Sequence, residues 1–318
     1  MLRQRGVDVK VLTTGDPKIT SYDGIPTVRL PIPRRRFNLA VPTIAAMARD
    51  VDLVQTFVYH AALPSWFAAK LNHKPVVLTV LALFQEHWNT MRSPLVAGLY
   101  ARWERLLIRR GYDKVIFVSE FSREKGMAAG VPMQRSAVIS PGIDFDAYAV
   151  ETEKENVVFF TGKLEARKGI YEVLEVARRL PEVAFRVMGW GADEQKIRQS
   201  APGNVEFVPF ERGEPLHRAF AKSRIFLFPT KAETFGLAPV EAMAAGCAVI
   251  STVQFPFEGV RVGPDDIDAM VNAVRRFWND PAETYRLGHR NRCLAETYTW
   301  DKHVDKLLNV YSEILESQ

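Results

Sequence analysis

The sequence has few cysteines, no motif for metal ligands and no long apolar run. Its 318 residues include two cysteines, Cys247 and Cys293, whose spacing matches no metal site. We therefore expect reduced thiols in a cytoplasmic protein. The sequence shows no stretch of eighteen or more apolar residues and no N-terminal signal pattern, so we expect neither secretion nor a membrane-spanning helix.

Motifs for nucleic-acid binding are also missing. The net charge of +5 permits an anionic partner, but no helix-turn-helix, zinc-finger or RNA-binding pattern occurs, so we do not expect direct binding of nucleic acid. The first 150 residues carry 20 Lys and Arg against 12 Asp and Glu, a surplus of eight, and the remainder has a deficit of three. The basic N-terminal half is therefore predicted to meet the anionic partner.

Two basic segments lie in this half, the run 34–36 of three arginines and a helix predicted over residues 94–110. Four apolar residues of this helix recur at helical spacing, and three arginines lie within about 60° on another face. They are Leu95, Leu99, Trp103 and Leu106, and Arg102, Arg105 and Arg109. Two interpretations stay open. Either the helix lies on an anionic membrane surface, or its apolar face packs on the core and its arginines face water.

The chain does contain the repeating pattern of an α/β protein. With 47% hydrophobic and 25% charged residues, it can bury two cores of ordinary size. Short apolar runs separated by helical patterns predict strands covered on both faces by helices. The predicted strands span residues 7–13, 52–57, 74–80, 114–119, 157–162, 225–228 and 248–250.

Residues 224–252 carry the most information about function. They predict a strand, a loop, a helix with Thr234 as its N-cap, and a second, parallel strand. In such units, ligands bind at the carboxyl end of the strand and the amino end of the helix. We predict that the backbone amides of Phe235, Gly236 and Leu237 bind phosphate or sugar oxygens there.

Two glutamates belong to the same segment. Glu233 lies at the mouth of the predicted crevice, and it is either a ligand-binding residue or an acid that the helix dipole favours. Glu241 lies farther along an alanine-rich helix, beyond the reach of the dipole. We expect a ligand hydroxyl pair or a buried cation as the partner of Glu241.

A basic turn follows the strand predicted over residues 157–162. Lys163, Arg167 and Lys168 come between Gly162 and the next predicted helix. Positive charges at a helix start are unfavourable by a few tenths of a kcal/mol each, roughly, so we expect an anion to compensate them. A merely solvated basic turn is the alternative. The glycine spacing does not fit a P-loop.

These segments closely resemble the Glu-x7-Glu signature and the basic turn of retaining glycosyltransferases of family 4. The resemblance implies the GT-B fold, with two facing, doubly wound Rossmann-like domains. It implies an acceptor-side domain over residues 1–149, a nucleotide-sugar domain over residues 150–299 and a helix over residues 300–318 that crosses back. Further stretches similar to the family are residues 140–144, 186–191, 204–210 and 298–300.

The resemblance also implies roles for the site residues. Lys163 and Lys168, next to Gly162, would bind the donor diphosphate, although Lys163 replaces a family arginine and lacks its bidentate fork. Glu241 would bind ribose hydroxyls. Glu233, as the catalytic residue, would bind sugar hydroxyls near the reacting carbon. Because lysines and helix amides supply the electrostatics, we expect no cofactor and no essential metal.

Three departures from the family occur. The first strand begins where the family has already completed a strand, a glycine-rich loop and most of a helix, so we expect an incomplete N-terminal sheet. Either the true start lies upstream, the chain is truncated, or a homo- or hetero-oligomer covers the sheet. Leu81 stands where the family has histidine, and His87 nearby is either a substitute ligand or a surface residue. After Thr252 the loop is shortened, and only Pro256 and Glu258 match the family motif.

The resemblance therefore implies a retaining enzyme that moves a hexose from a nucleotide-diphosphate sugar to an acceptor hydroxyl. The basic first domain points to a lipid or lipid-linked acceptor at the inner membrane face. The rival hypothesis is a non-catalytic sugar-nucleotide-binding subunit, a degenerate paralogue that supports another glycosyltransferase. A sugar-nucleotide epimerase would need acid and base residues in the first domain that the sequence does not show.

Overall fold

The chain divides into two compact units in the computed structural model, which describes residues 1–85, 88, 93–148 and 153–317. The first unit comprises Met1–Ser140 and Asp301–Gln318, and the second comprises Pro141–Trp300. The predicted boundary between residues 149 and 150 lies outside the described residues. Residues 141–148 group with the second unit.

The first unit alternates strands and helices. Its strands are β1 (Val11–Thr14), β2 (Ser21–Tyr22), β3 (Ile25–Leu30), β4 (Val54–Phe57), β5 (Val76–Val80), β6 (Lys114–Phe117) and β7 (Ser136–Val138). Its helices before residue 140 are α1 (Val41–Ala48), α2 (Ala62–Leu71), α3 (Pro94–Ile108) and α4 (Glu120–Ala128). The main sheet is parallel, in the order β4-β5-β6-β7.

Strand β5 shows why this sheet is covered on both faces. Val76, Leu78 and Val80 share one buried cluster with residues of α2 and α3. Val77, which points the other way, belongs to a cluster built with the C-terminal helix, Trp300–Glu316. That helix contributes Leu307, Val310 and Ile314, so the apolar run of β5 reflects burial on both sides.

The small sheet of the first unit has the order β1-β3-β2. Strand β1 begins at Val11, and the prediction of a strand from residue 7 was wrong. Val11 pairs with Thr27 of β3, and the residue before Thr27 is Pro26, which has no N–H to continue the ladder. In the described residues, no strand joins β1 to β4. A Rossmann order would place one between them, and the prediction that an oligomer covers this gap stays a prediction.

The second unit has the strands β8 (Glu155–Lys163), β9 (Phe185–Trp190), β10 (Val205–Val208), β11 (Ser223–Phe228), β12 (Ala248–Ser251) and β13 (Gly259–Arg261). Its helices are α5 (Ile170–Arg179), α6 (Glu194–Ser200), α7 (Glu214–Lys222), α8 (Leu237–Ala244), α9 (Ile267–Asn279) and α10 (Pro281–Ala295), and the C-terminal helix of the chain is α11. All neighbouring strands are parallel, in the order β10-β9-β8-β11-β12-β13. This is the Rossmann order, and the predicted fold class is confirmed.

Helix α3 differs from the prediction in the face that it buries. Its buried residues are Ala97, Glu104, Leu107 and Ile108. The fully buried Glu104 carboxylate accepts hydrogen bonds from the hydroxyl of Tyr59 and the amides of Phe84 and Gln85, at 2.6, 3.1 and 2.8 Å. The buried carboxylate of Glu104 and the apolar contacts therefore determine together which face of α3 is turned toward the core.

As a result, the leucines predicted for the apolar face of α3 do not pack on the core. Leu95, Leu99 and Leu106 are 79%, 60% and 61% exposed. Only Trp103 of that set contacts the buried cluster. Of the two interpretations, packing of these leucines in the core was wrong. No helix among the described residues is long and apolar enough to cross a membrane.

A pair of helical glycines tests the packing of the first unit. A Cβ at Gly126 of α4 would overlap the buried ring of Phe117, whereas a Cβ at Gly98 of α3 meets no atom within 4 Å. We expect Gly126→Ala to lower the free energy of unfolding by about 1–3 kcal/mol through overpacking. Gly98→Ala should raise it by roughly 0.5–1 kcal/mol, because alanine favours the helix. Urea unfolding measures both changes, and equal effects would contradict this packing.

Candidate active site

The candidate site lies where β8 and β11 end. These strands are neighbours in the sheet, but their chain connections lead to opposite sides of it, because β9 lies next to β8 and β12 next to β11. Ligands of doubly wound sheets bind in the crevice that forms at such a reversal. Gly162 and Lys163 end β8. The loop 229–236 follows β11 and leads into α8.

An ion pair joins the two segments. The Nζ of Lys168 lies 2.5 Å from Oε2 of Glu233, and the two side chains are 17% and 22% exposed. Gly169, with φ of +79°, turns the chain directly after Lys168, and a Cβ there would overlap the carbonyl group of Pro229. The backbone at Gly169 thus lies close to the backbone at Pro229, and this close approach brings the side chains of Lys168 and Glu233 within reach of each other.

The basic turn is compensated mostly by the chain itself. Lys168 is paired with Glu233, and Arg167 Nη2 lies 2.7 Å from Glu165 Oε1. Carboxylates of the chain thus supply part of the anionic compensation expected for the three cations, and binding of the donor diphosphate by Lys163 and Lys168 stays a prediction. Lys163 is exposed, and in the described part of the chain it forms no ion pair. It remains available to an anionic ligand.

The loop 229–236 is tied to this turn by several contacts. The amide of Lys231 donates to the carbonyl of Arg167 at 3.0 Å. The Nζ of Lys231 pairs with Glu172 and Asp265, both at 2.7 Å. The hydroxyl of Thr252 at the end of β12 donates to the carbonyl of Thr230 at 2.6 Å. These contacts hold the loop, and with it Glu233, in one position.

Helix α8 begins later than predicted. Its N-cap is Gly236, with φ of +96°, and not Thr234. The left-handed backbone at Gly236 reverses the chain between the loop and the helix, so the helix cannot begin before Leu237. Within the described residues, the amides of Phe235, Gly236 and Leu237 donate to no protein acceptor. They are free to bind ligand oxygens at the start of the helix.

Glu241 is partnered by a phenol and not by a cation. The hydroxyl of Tyr148 donates to Oε1 of Glu241 at 2.8 Å. The ring of Tyr148 lies 4.6 Å from that of His217, centre to centre. Burial raises the pKa of the Glu241 carboxyl, and the Tyr148 hydrogen bond and the His217 charge oppose that shift. The predicted buried cation was wrong, and Oε2 has no protein donor among the described residues.

Tyr148 is a residue that sequence reasoning missed. It precedes Glu241 by 93 positions, and no local pattern connects the two. It follows the turn 140–144 that resembles the family, and this turn is the only signal that could have drawn attention to it. The Nη1 of Arg292 donates to the carbonyl of Tyr148 at 2.5 Å, which helps to hold this segment on the second unit.

The first unit presents its own residues at the carboxyl edge of its sheet. Leu81, directly after β5, is 52% exposed. Residues 84 and 85 after it are held by Glu104, as described above. The hydroxyl oxygen of Tyr59, which donates its proton to Glu104, lies 2.9 Å from the carbonyl oxygen of Ala82. His87 lies outside the described residues. No group of three or more potential metal ligands occurs in the described part of the chain.

Comparison with known proteins identifies the class. The model described as Glycosyltransferase Family 4 matches residues 1–147, and the model described as Glycosyl transferases group 1 matches residues 155–280. Each of its two α/β units has a main sheet of parallel strands, and the chain is thus a glycosyltransferase of the GT-B fold. It belongs to glycosyltransferase family 4, and the predicted family is confirmed.

Curated relatives cover nearly the whole chain. The O-antigen chain mannosyltransferase C of Escherichia coli is 28% identical over 99% of this chain and 92% of its own length. A GDP-mannose-dependent alpha-(1-6)-phosphatidylinositol monomannoside mannosyltransferase of Mycolicibacterium smegmatis is 27% identical over 86% of this chain and 81% of its own. Because these relatives are transferases, the non-catalytic alternative is not favoured.

Solved structures show the same fold. The sucrose-phosphate synthase of Thermosynechococcus elongatus superposes with a TM-score of 0.83 at 21% identity, over 100% of this chain and 91% of its own. The Anabaena protein HepE, in complex with UDP and glucose, gives a TM-score of 0.77 at 16% identity, over 96% of this chain and 99% of its own.

Glu241 provides a test of the site electrostatics. Its folded pKa is raised above the ordinary value of 4.5, so the wild type loses stability as the pH rises from 4.5 through the folded pKa. Glu241→Gln keeps an acceptor for Tyr148 and does not ionise. We expect the unfolding free energy of this variant, relative to the wild type, to increase over that pH window and then to level off.

Urea unfolding between pH 4.5 and 8 measures this difference. Glu182→Gln, at an exposed position of the same unit, is the matched control and should show little pH-dependent difference. A constant or falling advantage of Glu241→Gln would contradict the burial of an ionisable carboxyl at this position.

Proposed function

We propose that this enzyme moves a hexose from a nucleotide-diphosphate sugar to an acceptor hydroxyl, with the donor bound where β8 and β11 end. The observation that carries the proposal is that several charged and hydrogen-bonding groups lie together at that edge of the sheet in the second unit. An unpaired lysine, an ion-paired lysine and glutamate, and three free amides lie on adjoining segments. Such a set suits a ligand that has both anionic and hydroxyl oxygens.

Known relatives support this donor class. HepE was solved with UDP and glucose, and the Mycolicibacterium relative is named as GDP-mannose-dependent. These two names contain different bases. The edge at which we propose that the base lies carries Trp190 and Phe210, whose ring centres are 4.0 Å apart. Stacking on an aromatic face does not distinguish uracil from guanine.

The diphosphate is assigned to Lys163, Lys168 and the amides at the start of α8. Lys168 has three N–H donors, so it can bind a phosphate oxygen while it keeps one bond to Glu233. The developing charge on the leaving diphosphate is then stabilised by two lysines and by oriented backbone dipoles. We propose that these groups act without an essential metal ion or other cofactor.

The two glutamates divide the remaining work. Glu233, held by Lys168, is assigned to sugar hydroxyls near the reacting carbon, and it is the residue we propose as catalytic. Glu241 is assigned to the ribose hydroxyls. Its Oε2 can accept hydrogen bonds from them while Oε1 keeps the hydrogen bond from Tyr148. Retention of configuration is proposed from membership of family 4.

The acceptor is proposed to be a lipid or a lipid-linked glycan at the cytoplasmic face of a membrane. The named relatives act on O-antigen chains and on phosphatidylinositol monomannoside. The surplus of eight positive charges in the first 150 residues fits an acceptor with anionic groups.

A thermal-shift panel tests the donor site. The purified chain is heated with UDP, GDP, ADP and their common sugar conjugates. A ligand at about a hundred times its dissociation constant adds roughly 2.7 kcal/mol of stability. We expect stabilisation by one nucleotide family, and this result would name the base.

Glu241→Ala should raise the dissociation constant of that nucleotide about ten- to a hundredfold, since a hydrogen bond to a charged group contributes about 1.5–3 kcal/mol. Glu182→Ala is the control and should bind as the wild type does. If no nucleotide stabilises the wild type, the donor proposal is wrong. If binding survives in Glu241→Ala, the ribose assignment alone is wrong.

A further inference from the structure

The outward face of α3 is an apolar stripe in contact with water. Leu95, Leu99 and Leu106 are 79%, 60% and 61% exposed. At 100° per residue they lie within about 40° of one another around the helix. The opposite face supplies the core contacts through Ala97, Leu107 and Ile108, so the leucine stripe is not required to hold α3 on its sheet.

Three arginines border this stripe. Arg102, Arg105 and Arg109 are exposed, and they lie on one side of the leucines, within about 100° of their centre. In the described residues none of the three forms an ion pair. Glu104, the acidic residue of α3, points inward and is fully buried. The face is therefore both apolar and cationic, without a compensating carboxylate of the helix.

We propose that this leucine–arginine face of α3 docks the enzyme on an anionic phospholipid surface. A helix with one apolar and one basic stripe lies in the plane of the membrane interface, its leucines about 5–10 Å deep. The arginines then bind lipid phosphates, which they match in charge and in geometry. The exposed arginines at 34–36 of the same unit add to this attraction.

The charge distribution favours a lipid surface over a protein partner. Arginine also occurs at protein–protein interfaces, but the exposed arginines of α3 and those at 34–36 form no ion pair in the described residues, and an anionic lipid surface offers phosphates to all of them. A lipid surface accommodates both the arginines and the apolar stripe, since phosphates and acyl chains lie within a few ångströms of each other. This docking face is separate from the proposed donor site and is tested without any sugar nucleotide.

Vesicle flotation with the full chain tests the proposal. The wild type is mixed with phosphatidylcholine vesicles and with vesicles that also contain phosphatidylglycerol. We expect binding to the anionic vesicles, weakened by salt, and little binding to the neutral ones. Equal binding to both, or none to either, would overturn the proposal.

Two sets of variants locate the contact. The double variant Leu99→Gln with Leu106→Gln should lower vesicle binding at least about tenfold, because each leucine loses its apolar burial. The triple variant Arg102→Gln, Arg105→Gln and Arg109→Gln should lower it by about a hundredfold, at about fivefold per arginine. Circular dichroism melting confirms that each variant is folded.

Matched controls use exposed residues elsewhere. Leu71→Gln with Leu315→Gln replaces two exposed leucines of the first unit. The triple control replaces Arg212, Arg275 and Arg286 of the second unit, which are exposed and form no ion pair in the described residues. Both controls should bind within about twofold of the wild type. Unchanged vesicle binding by the α3 variants, together with a changed oligomeric state by light scattering, would assign the face to a protein partner and overturn the proposal.

Discussion

The strand order of the second unit is the constraint on which the candidate site depends. Because the order reverses between β8 and β11, two segments that are far apart in sequence begin at the same edge of the sheet. One brings Lys163 and Lys168, and the other brings Glu233 and the start of α8. The close backbone contact at Gly169 then sets how near these segments come. The chemistry of the site follows from the topology of the sheet and from a few atoms at one turn.

The site is electrostatically balanced before any ligand binds. Lys168 and Glu233 neutralise each other in a partly exposed position, where an ion pair contributes little to stability. The pair is better understood as a means of holding two flexible side chains in place. Preorganised charges need little rearrangement when a reaction develops charge, which is the usual source of electrostatic catalysis.

Much of this could be predicted from sequence, because it depends on local patterns. The apolar runs of β5, β8 and β11 and the positions of Lys168 and Glu233 were visible without coordinates. Contacts between distant residues were not. The hydrogen bond from Tyr148 to Glu241 spans 93 positions. Whether Leu106 or Leu107 of α3 faces the sheet was also not predictable, because helical spacing defines a stripe and not the partner that covers it.

The buried carboxylate of Glu104 has a mechanical consequence. It lies on the inner side of α3 and accepts from the amides of Phe84 and Gln85 and from the hydroxyl of Tyr59. Tilting α3 away from that loop would leave a buried charge without donors, which is strongly unfavourable. Helix α3 is therefore coupled to residues 84 and 85 through Glu104, and a force applied to the outer face of α3 would be transmitted to these two residues.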